Sequence, residues 1–226
     1  MNIIPIMDLA HLPLPDGVRW EETAPRVVAP HPAEAPAVER AVPSRRTEFA
    51  SARECARAAL GRLHPAWGTI PVPRRDDGAP QWPEGVVGAI SHCDGLHAAA
   101  VAPEDGIGAL GIDVEPARPL PASVAELVLN DSERRSLAAS GAIDTVGFSL
   151  KEALFKTWWP RTGTWLDFSE AEVEARPDGT ARLRVRRSHP RWPHDAARLR
   201  WHVGHRHIRT IAWLPGARTS HWTSGR

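Results

Sequence analysis

Residues 107–116 read IGALGIDVEP, and the organisation of the chain follows from this stretch. From Ile107 to Ile112 its apolar residues, interrupted only by Gly108 and Gly111, are the pattern of a buried strand, which emerges at Asp113-Val114-Glu115 and is stopped by Pro116. Side chains alternate along a strand, so Asp113 and Glu115 leave on the same side, a few ångströms apart. On its N-terminal side, Pro103–Gly108 is a break rich in turn formers. Before the break, Val86 to Ser91 and Leu96 to Val101 pair as short strands around Cys93-Asp94-Gly95, with Ser91 and His92 at the bend. Each side of the break offers helices and a small antiparallel sheet, so the expected class is α+β, divided into residues 1–105 and 106–226.

Helical periodicity supplies the rest of each half. SRRTEFASARECARAAL (44–60) spaces Phe49, Ala52, Ala56 and Leu60 as a helix, with Ser44 expected as its cap and Gly61 as its stop. Arg46, Arg53 and Arg57 share one face of it, with Arg45 at its entry; alone, this is a solvated basic face. The preceding stretch 21–43, rich in Pro and Ala, is expected to be an irregular or partly helical lead-in. SVAELVLNDSERRSLAAS (123–140) is helical, with an N-cap within NDSE. GFSLKEALFKTWW (147–159) follows as a helix with Leu150, Leu154 and Trp158 on one stripe and Pro160 expected to end it. Two hairpins close the chain, around Pro177-Asp178-Gly179 and around Gly204. His202, His205 and His207 at the second bend lack a fourth ligand and do not make a zinc site.

Composition excludes several classes of protein. The 226 residues carry 28 Lys and Arg against 27 Asp and Glu, a formal charge of +1, which is not that of a general nucleic-acid binder. No apolar run is long enough to span a membrane. The first residues, MNIIPIMDLAHLPLPDG, carry no basic leader or small-residue cleavage pattern. Two widely separated cysteines make neither a disulfide framework nor a metal ribbon. The cytoplasm is the expected compartment.

The chemistry concentrates in FSLKEALFKTWW. Lys151 and Lys156 are the only lysines; the other basic residues are all arginine. Lysine presents a compact point charge where arginine presents a planar fork, so the exception has a physical meaning. Glu152 and Lys156 stand i, i+4, which by itself is also a surface ion pair, just as Asp113 and Glu115 could be a solvated strand edge. Taken together, three hard carboxylates, two lysines and His92 form a set suited to phosphoryl chemistry. There a cation offsets a diphosphate and ammonium groups hold the leaving oxygen. Oxygen-only ligands point to Mg²⁺ rather than zinc.

These segments also carry a resemblance. GIDVEP resembles the G-x-D-x-E motif, FSLKEALFK the W-x-x-K-E-A-x-x-K motif, and AISHC the Ser-His motif of the 4'-phosphopantetheinyl transferases. RRTEF and RRDDGAPQWPEGVVGAISH look like the branch containing the enterobactin synthase component D type and surfactin-type enzymes. The motifs stand in family order from about Arg45 to Lys156, roughly half of the chain; Phe148 departs from the usual tryptophan at a packing position.

The resemblance implies two pseudo-twofold-related α+β halves with the active site in the cleft between them. It implies transfer of phosphopantetheine from coenzyme A to a serine of an acyl or peptidyl carrier protein, with release of adenosine 3',5'-bisphosphate. Asp113, Glu115 and Glu152 would bind Mg²⁺, and Glu152 would also be the candidate base. Lys151 and Lys156 would contact phosphate oxygens, Lys156 with a direct catalytic part. His92 would hydrogen-bond a coenzyme A phosphate with Ser91 beside it. Arg45, Arg53 and Arg75 would hold the nucleotide 3'-phosphate, with Arg46 and Arg74 as neighbours. Residues 118–130 would form part of the surface that receives the carrier, and closure of the cleft within one chain implies a monomer.

Overall fold

The computed structural model describes residues 12–193 and 196–216; most of the N-terminal stretch read for a leader, residues 1–11, lies outside them. The buried strand expected from IGALGIDVEP is β4 (Ile107–Pro116), preceded by β1 (Arg19–Thr23), β2 (Val86–Cys93) and β3 (Leu96–Pro103). The first three make an antiparallel sheet in the order β1-β3-β2, and β2 and β3 meet at Cys93 and Leu96 around the Asp94-Gly95 turn. In the second sheet, also antiparallel, β4 is an edge strand followed by β8 (His207–Pro215), β7 (Arg198–Val203), β6 (Thr180–Val185) and β5 (Ala171–Ala175). The fold is therefore α+β, two helix-on-sheet halves whose edge strands β2 and β4 run beside each other.

Helix α1 (Pro43–Leu63) covers the first sheet and α4 (Asp144–Thr162) the second. Two boundaries differ from expectation. The first helix is entered by Val42 and Pro43 rather than capped by Ser44, and it continues through Gly61, which packs closely against Gly68. Gly61 thus provides close approach instead of a stop. Pro160 does not end α4; the helix continues to Thr162 and closes on Gly163 in the left-handed region at φ 66°. A proline in the last turn removes one N–H from a helix that is ending anyway, so its cost is small there. The 123–140 segment is two helices, α2 (Ala122–Val128) and α3 (Asp131–Ala139), broken at Asn130. The Asn130 side chain accepts from the Glu133 N–H while the Glu133 carboxylate accepts from the Asn130 N–H.

Leu150, Leu154 and Trp158 are fully buried, as the stripe requires, and each contributes about 1.5–3 kcal/mol through burial. Between the halves, Leu110, Ile112 and Val114 of β4 pack against Trp20, Leu96 and Ala100 of the first sheet. A buried ion pair also crosses here: Arg209 on β8 donates from Nε and Nη2 to the two oxygens of Glu22 on β1, at 2.7 and 2.8 Å. Gly111 sets the height of α4 over β4. A Cβ at this position would fall 2.5 Å from Thr157 Oγ1 and 2.7 Å from Thr157 N, and closer still to the Ala153 carbonyl. Only glycine lets the helix sit this low.

Candidate active site

Beneath the low seat of α4, three side chains from two elements meet one carboxylate. Asp113, buried near the end of β4, accepts at Oδ1 from Ser91 of β2 at 2.8 Å and from the Lys156 ammonium of α4 at 2.7 Å. Its Oδ2 accepts from Ser149 of α4 at 2.8 Å. Lys156 also donates to Ser91 Oγ at 3.0 Å, and the backbone N–H of Val114 donates to the same hydroxyl at 3.3 Å. Such charge-assisted contacts in a buried setting hold their members to one geometry. Asp113 therefore joins the two halves and fixes the position of Lys156.

Glu115 and Glu152 complete an acidic group around this hub. Burial raises the Glu115 carboxyl to about 7, with Asp113 adding to the effect, Lys156 opposing it and Glu152 contributing further. The Glu152 carboxyl is likewise raised by burial, against the pull of Lys156 and with Asp113 adding. Three hard-oxygen acids that disfavour one another's charge are chemically matched to a divalent cation such as Mg²⁺. Among the described residues, no group of three acidic, imidazole or thiol side chains makes a ready-formed metal cage. Asp113 instead accepts from Lys156 and Ser91 at Oδ1 and from Ser149 at Oδ2, where a lone pair remains for a cation.

On the first half, His92 Nε2 stands 3.3 Å from Arg45 Nη1 and 3.5 Å from Glu48 Oε2. Burial and the neighbouring Arg45 lower its pKa below the usual range, so near neutral pH the imidazole can accept the guanidinium N–H. Behind it, Arg53 is 6% exposed and lies over the Phe49 ring at 4.6 Å. Its Nε has no partner among the described residues, and burial lowers its pKa to about 10, eased by Glu34 and reinforced by Arg45, Arg74 and Arg57. A buried cation with a free donor inside a cluster of guanidiniums is suited to a phosphate. Arg75, ion-paired to Asp77 at 3.0 Å, lines with Lys156, Trp82 and Arg161 a cleft of about 500 Å³ between the 74–82 segment and α4. A second, apolar slot of about 240 Å³ lies against Glu152, walled by Phe155, Trp165 and Leu166.

Comparison with known proteins bears on this arrangement. Residues 33–102 match the model of the 4'-phosphopantetheinyl transferase N-terminal domain, and residues 109–223 match that of the 4'-phosphopantetheinyl transferase superfamily. The chain belongs to the 4'-phosphopantetheinyl transferase superfamily. It is 50% identical over 163 residues to 4'-phosphopantetheinyl transferase Svp of Streptomyces mobaraensis, covering 68% of this chain and 65% of that protein. It is 41% identical over 165 residues to 4'-phosphopantetheinyl transferase Npt of Nocardia iowensis, covering 71% and 73% of the two chains. With 4'-phosphopantetheinyl transferase PptT of Mycobacterium tuberculosis it shares 39% over 162 residues, covering 69% and 70%. Within this phosphopantetheinyl transferase fold, Ser91 and His92 lie in the first matched region and Asp113, Glu115, Glu152 and Lys156 in the second.

Lys151 is not brought to this group. It is 3% exposed, and its ammonium donates to the carbonyls of Val128 and Phe168 at 2.7 and 2.9 Å and to Glu133, whose nearer oxygen is at 2.8 Å. All three of its protons are committed, which leaves none for a phosphate. The reason is angular: Lys151 and Lys156 are five residues apart, about 140° around the helix. Arg46 is likewise occupied, donating to the carbonyls of Ala41 and Glu39 and so pinning the chain that enters α1.

Sequence reading missed three buried residues that tie together the elements around this candidate site. Ser149 shares a helical face with Glu152 and Lys156 at i, i+3 and i+7, a spacing that could have found it. Glu133 was read only as part of the NDSE stretch that holds an N-cap. Glu34, in the stretch expected to be irregular or partly helical, is 1% exposed; it takes both hydrogen bonds of Arg57 Nη1, at 2.7 and 2.9 Å, and the Val72 N–H. Apart from the nearby His31 N–H, its partners lie 23 and 38 residues away, so no local signal marked its burial.

Proposed function

We propose that this protein transfers the 4'-phosphopantetheine group of coenzyme A to a serine hydroxyl of an apo acyl or peptidyl carrier protein, releasing adenosine 3',5'-bisphosphate. The observation that carries the reading is the Asp113 hub. It holds Ser91 from one half and Lys156 from the other, and Lys156 lines a cleft that also contains Arg75. The relatives' names support the same reaction class.

In this reading the carrier serine oxygen forms a bond to the phosphorus that bears the pantetheine, and the bond from that phosphorus to the bridging oxygen breaks. The serine proton passes to Glu152, whose raised pKa makes it a better base than an ordinary carboxylate. The Lys156 ammonium, held in place by Asp113, faces the oxygen on which charge develops, where a preoriented cation has its largest effect. Asp113, Glu115 and Glu152 would hold Mg²⁺, which when bound would offset the charge of the diphosphate. Arg45, Arg53 and Arg75 hold the 3'-phosphate, and neutral His92 contacts a phosphate of the diphosphate. The apolar slot beside Glu152 suits the pantetheine arm. Residues 118–130, with Leu127 79% exposed, offer an apolar surface to the carrier. The enzyme works as a cytoplasmic monomer; among the described residues no helix is long and apolar enough to cross a membrane.

The test is mass spectrometry of an apo carrier incubated with coenzyme A and Mg²⁺. Wild-type protein is expected to add the phosphopantetheine mass, and folded Glu152→Gln to add none. Coenzyme A hydrolysis without transfer, or full transfer by Glu152→Gln, would overturn the assignment.

A further inference from the structure

The outer face of the second sheet carries charge that the transfer site does not use. Residues alternate there so that Ala171 and Val173 of β5 and Leu199 of β7 face α4, while Arg182 and Arg184 of β6 and Arg198 and Arg200 of β7 point away from it. With Arg176 they surround a hollow of about 960 Å³ whose lining also includes Leu183 and Trp213. Arg200 lies over the Trp213 ring at 5.4 Å and donates to the Pro13 carbonyl. The side chains of Arg176, Arg182, Arg184 and Arg198 make no ion pair or hydrogen bond among the described residues. Glu174 and Glu172 stand opposite Arg182 and Arg184 in register, yet the ion pair of Glu172 is with Arg186. In a chain whose net charge is +1, four unpartnered guanidiniums in one hollow are a local excess.

The backbone adds a second feature. Strands β6 and β7 are paired only at Thr180 with Arg200 and Ala181 with Leu199, and they then diverge. From Arg182 to Val185, β6 is paired to β5 on one side and, among the described residues, has no strand on the other. An unpaired edge of this kind is a template for an added strand.

We infer that this hollow receives an extended acidic segment of a partner polypeptide, its carboxylates on the arginines and its backbone along the free edge of β6. Guanidiniums pair with carboxylates as two-pronged donors, and the free edge supplies main-chain hydrogen bonds that side-chain charge alone does not require. The combination favours a peptide over nucleic acid. Single strands need open aromatic faces on which bases stack, and Trp213 is already covered by Arg200. A concave hollow with a strand edge also does not match a flat anionic membrane.

The experiment uses the full chain and a fluorescein-labelled twelve-residue peptide of alternating glutamate and valine, read by fluorescence anisotropy. Saturable binding that weakens with salt is expected, with none for the lysine-for-glutamate peptide. Arg182→Glu/Arg198→Glu should lose at least about tenfold in affinity, since two attractive charges become repulsive, while its transfer to an isolated carrier is unchanged. Undiminished peptide binding by this variant, or an equal and equally variant-sensitive affinity for labelled oligodeoxythymidine, would overturn the proposal. If the double variant melts early, amide exchange on the wild type decides. Slowed exchange at residues 182–185 on adding the peptide supports the docking, and unchanged exchange refutes it.

Discussion

Replacing Gly111 by alanine tests the link between packing and chemistry. The new Cβ would lie 2.5 Å from Thr157 Oγ1, 0.9 Å short of ordinary contact at 3.4 Å, and would meet the Ala153 carbonyl more closely still. Neither the backbone of α4 nor that of β4 is a flexible end that can rotate away, so the helix must rise by about 1 Å. Overpacking of this kind costs about 1–3 kcal/mol, which in a chain of this length lowers the melting temperature by roughly 2–12 °C. The functional effect should be larger than the effect on stability. Lys156 and Ser149 travel with the helix while Asp113 and Ser91 stay on the strands, so the 2.7 Å and 2.8 Å contacts at the hub stretch. A displacement of about 1 Å in a positioned group is enough for roughly a hundredfold loss of rate. Gly106→Ala is the control, because a Cβ there meets nothing nearer than 3.9 Å. Transfer to an apo carrier, measured well below the melting temperature of each variant, is the assay. A folded Gly111→Ala protein with the wild-type rate would refute the argument that the seat of the helix sets the site.

Three further outcomes are expected. Lys156→Arg should fold but lose roughly a hundredfold in transfer, because the planar fork takes Asp113 with two donors and leaves its charge misplaced; assays at saturating coenzyme A check this. Lys151→Met should cost about 3–5 kcal/mol in urea unfolding by stranding the buried Glu133 carboxylate, and Lys151→Met/Glu133→Gln should recover part of it. His97, 1% exposed, has its pKa lowered to about 4 by burial and then by His92, from 6.5 in an unfolded chain. The unfolded state therefore binds the extra proton as pH falls from 6.5 towards 4, and stability drops by up to about 1.4 kcal/mol per pH unit. Urea midpoints at pH 7 and pH 5 should show that drop, and His97→Gln should flatten it.

Much of the site was legible because its members obey simple periods. Two-residue alternation put Asp113 on the Glu115 side of β4, and the Asp94-Gly95 turn brought Ser91 and His92 to the end of β2. The α4 stripe of Leu150, Leu154 and Trp158 was legible for the same reason. Lys151 was misplaced because its rarity was weighed and its angle was not; a compact ammonium was indeed needed there, but to tie three oxygens in a buried corner. Glu34 and the Glu22–Arg209 pair had no such signature. Their partners are distant in sequence, and nothing local in an acidic residue says that an arginine far along the chain will bury it. Helix ends were missed at Gly61, where glycine serves a close approach, and at Pro160, where a proline in the last turn costs too little to stop the helix.

The Glu22–Arg209 contact spans 187 positions, and that span has a consequence for synthesis. A ribosome adding about 5–20 residues per second delivers Arg209 on the order of ten seconds or more after Glu22. The first sheet and β4 are complete by Pro116, so for about the second half of that interval the Glu22 carboxylate lacks this counter-ion. The nascent chain thus passes through a stage in which half of it is ready to fold and obliged to wait, and this is when a chaperone has most to protect.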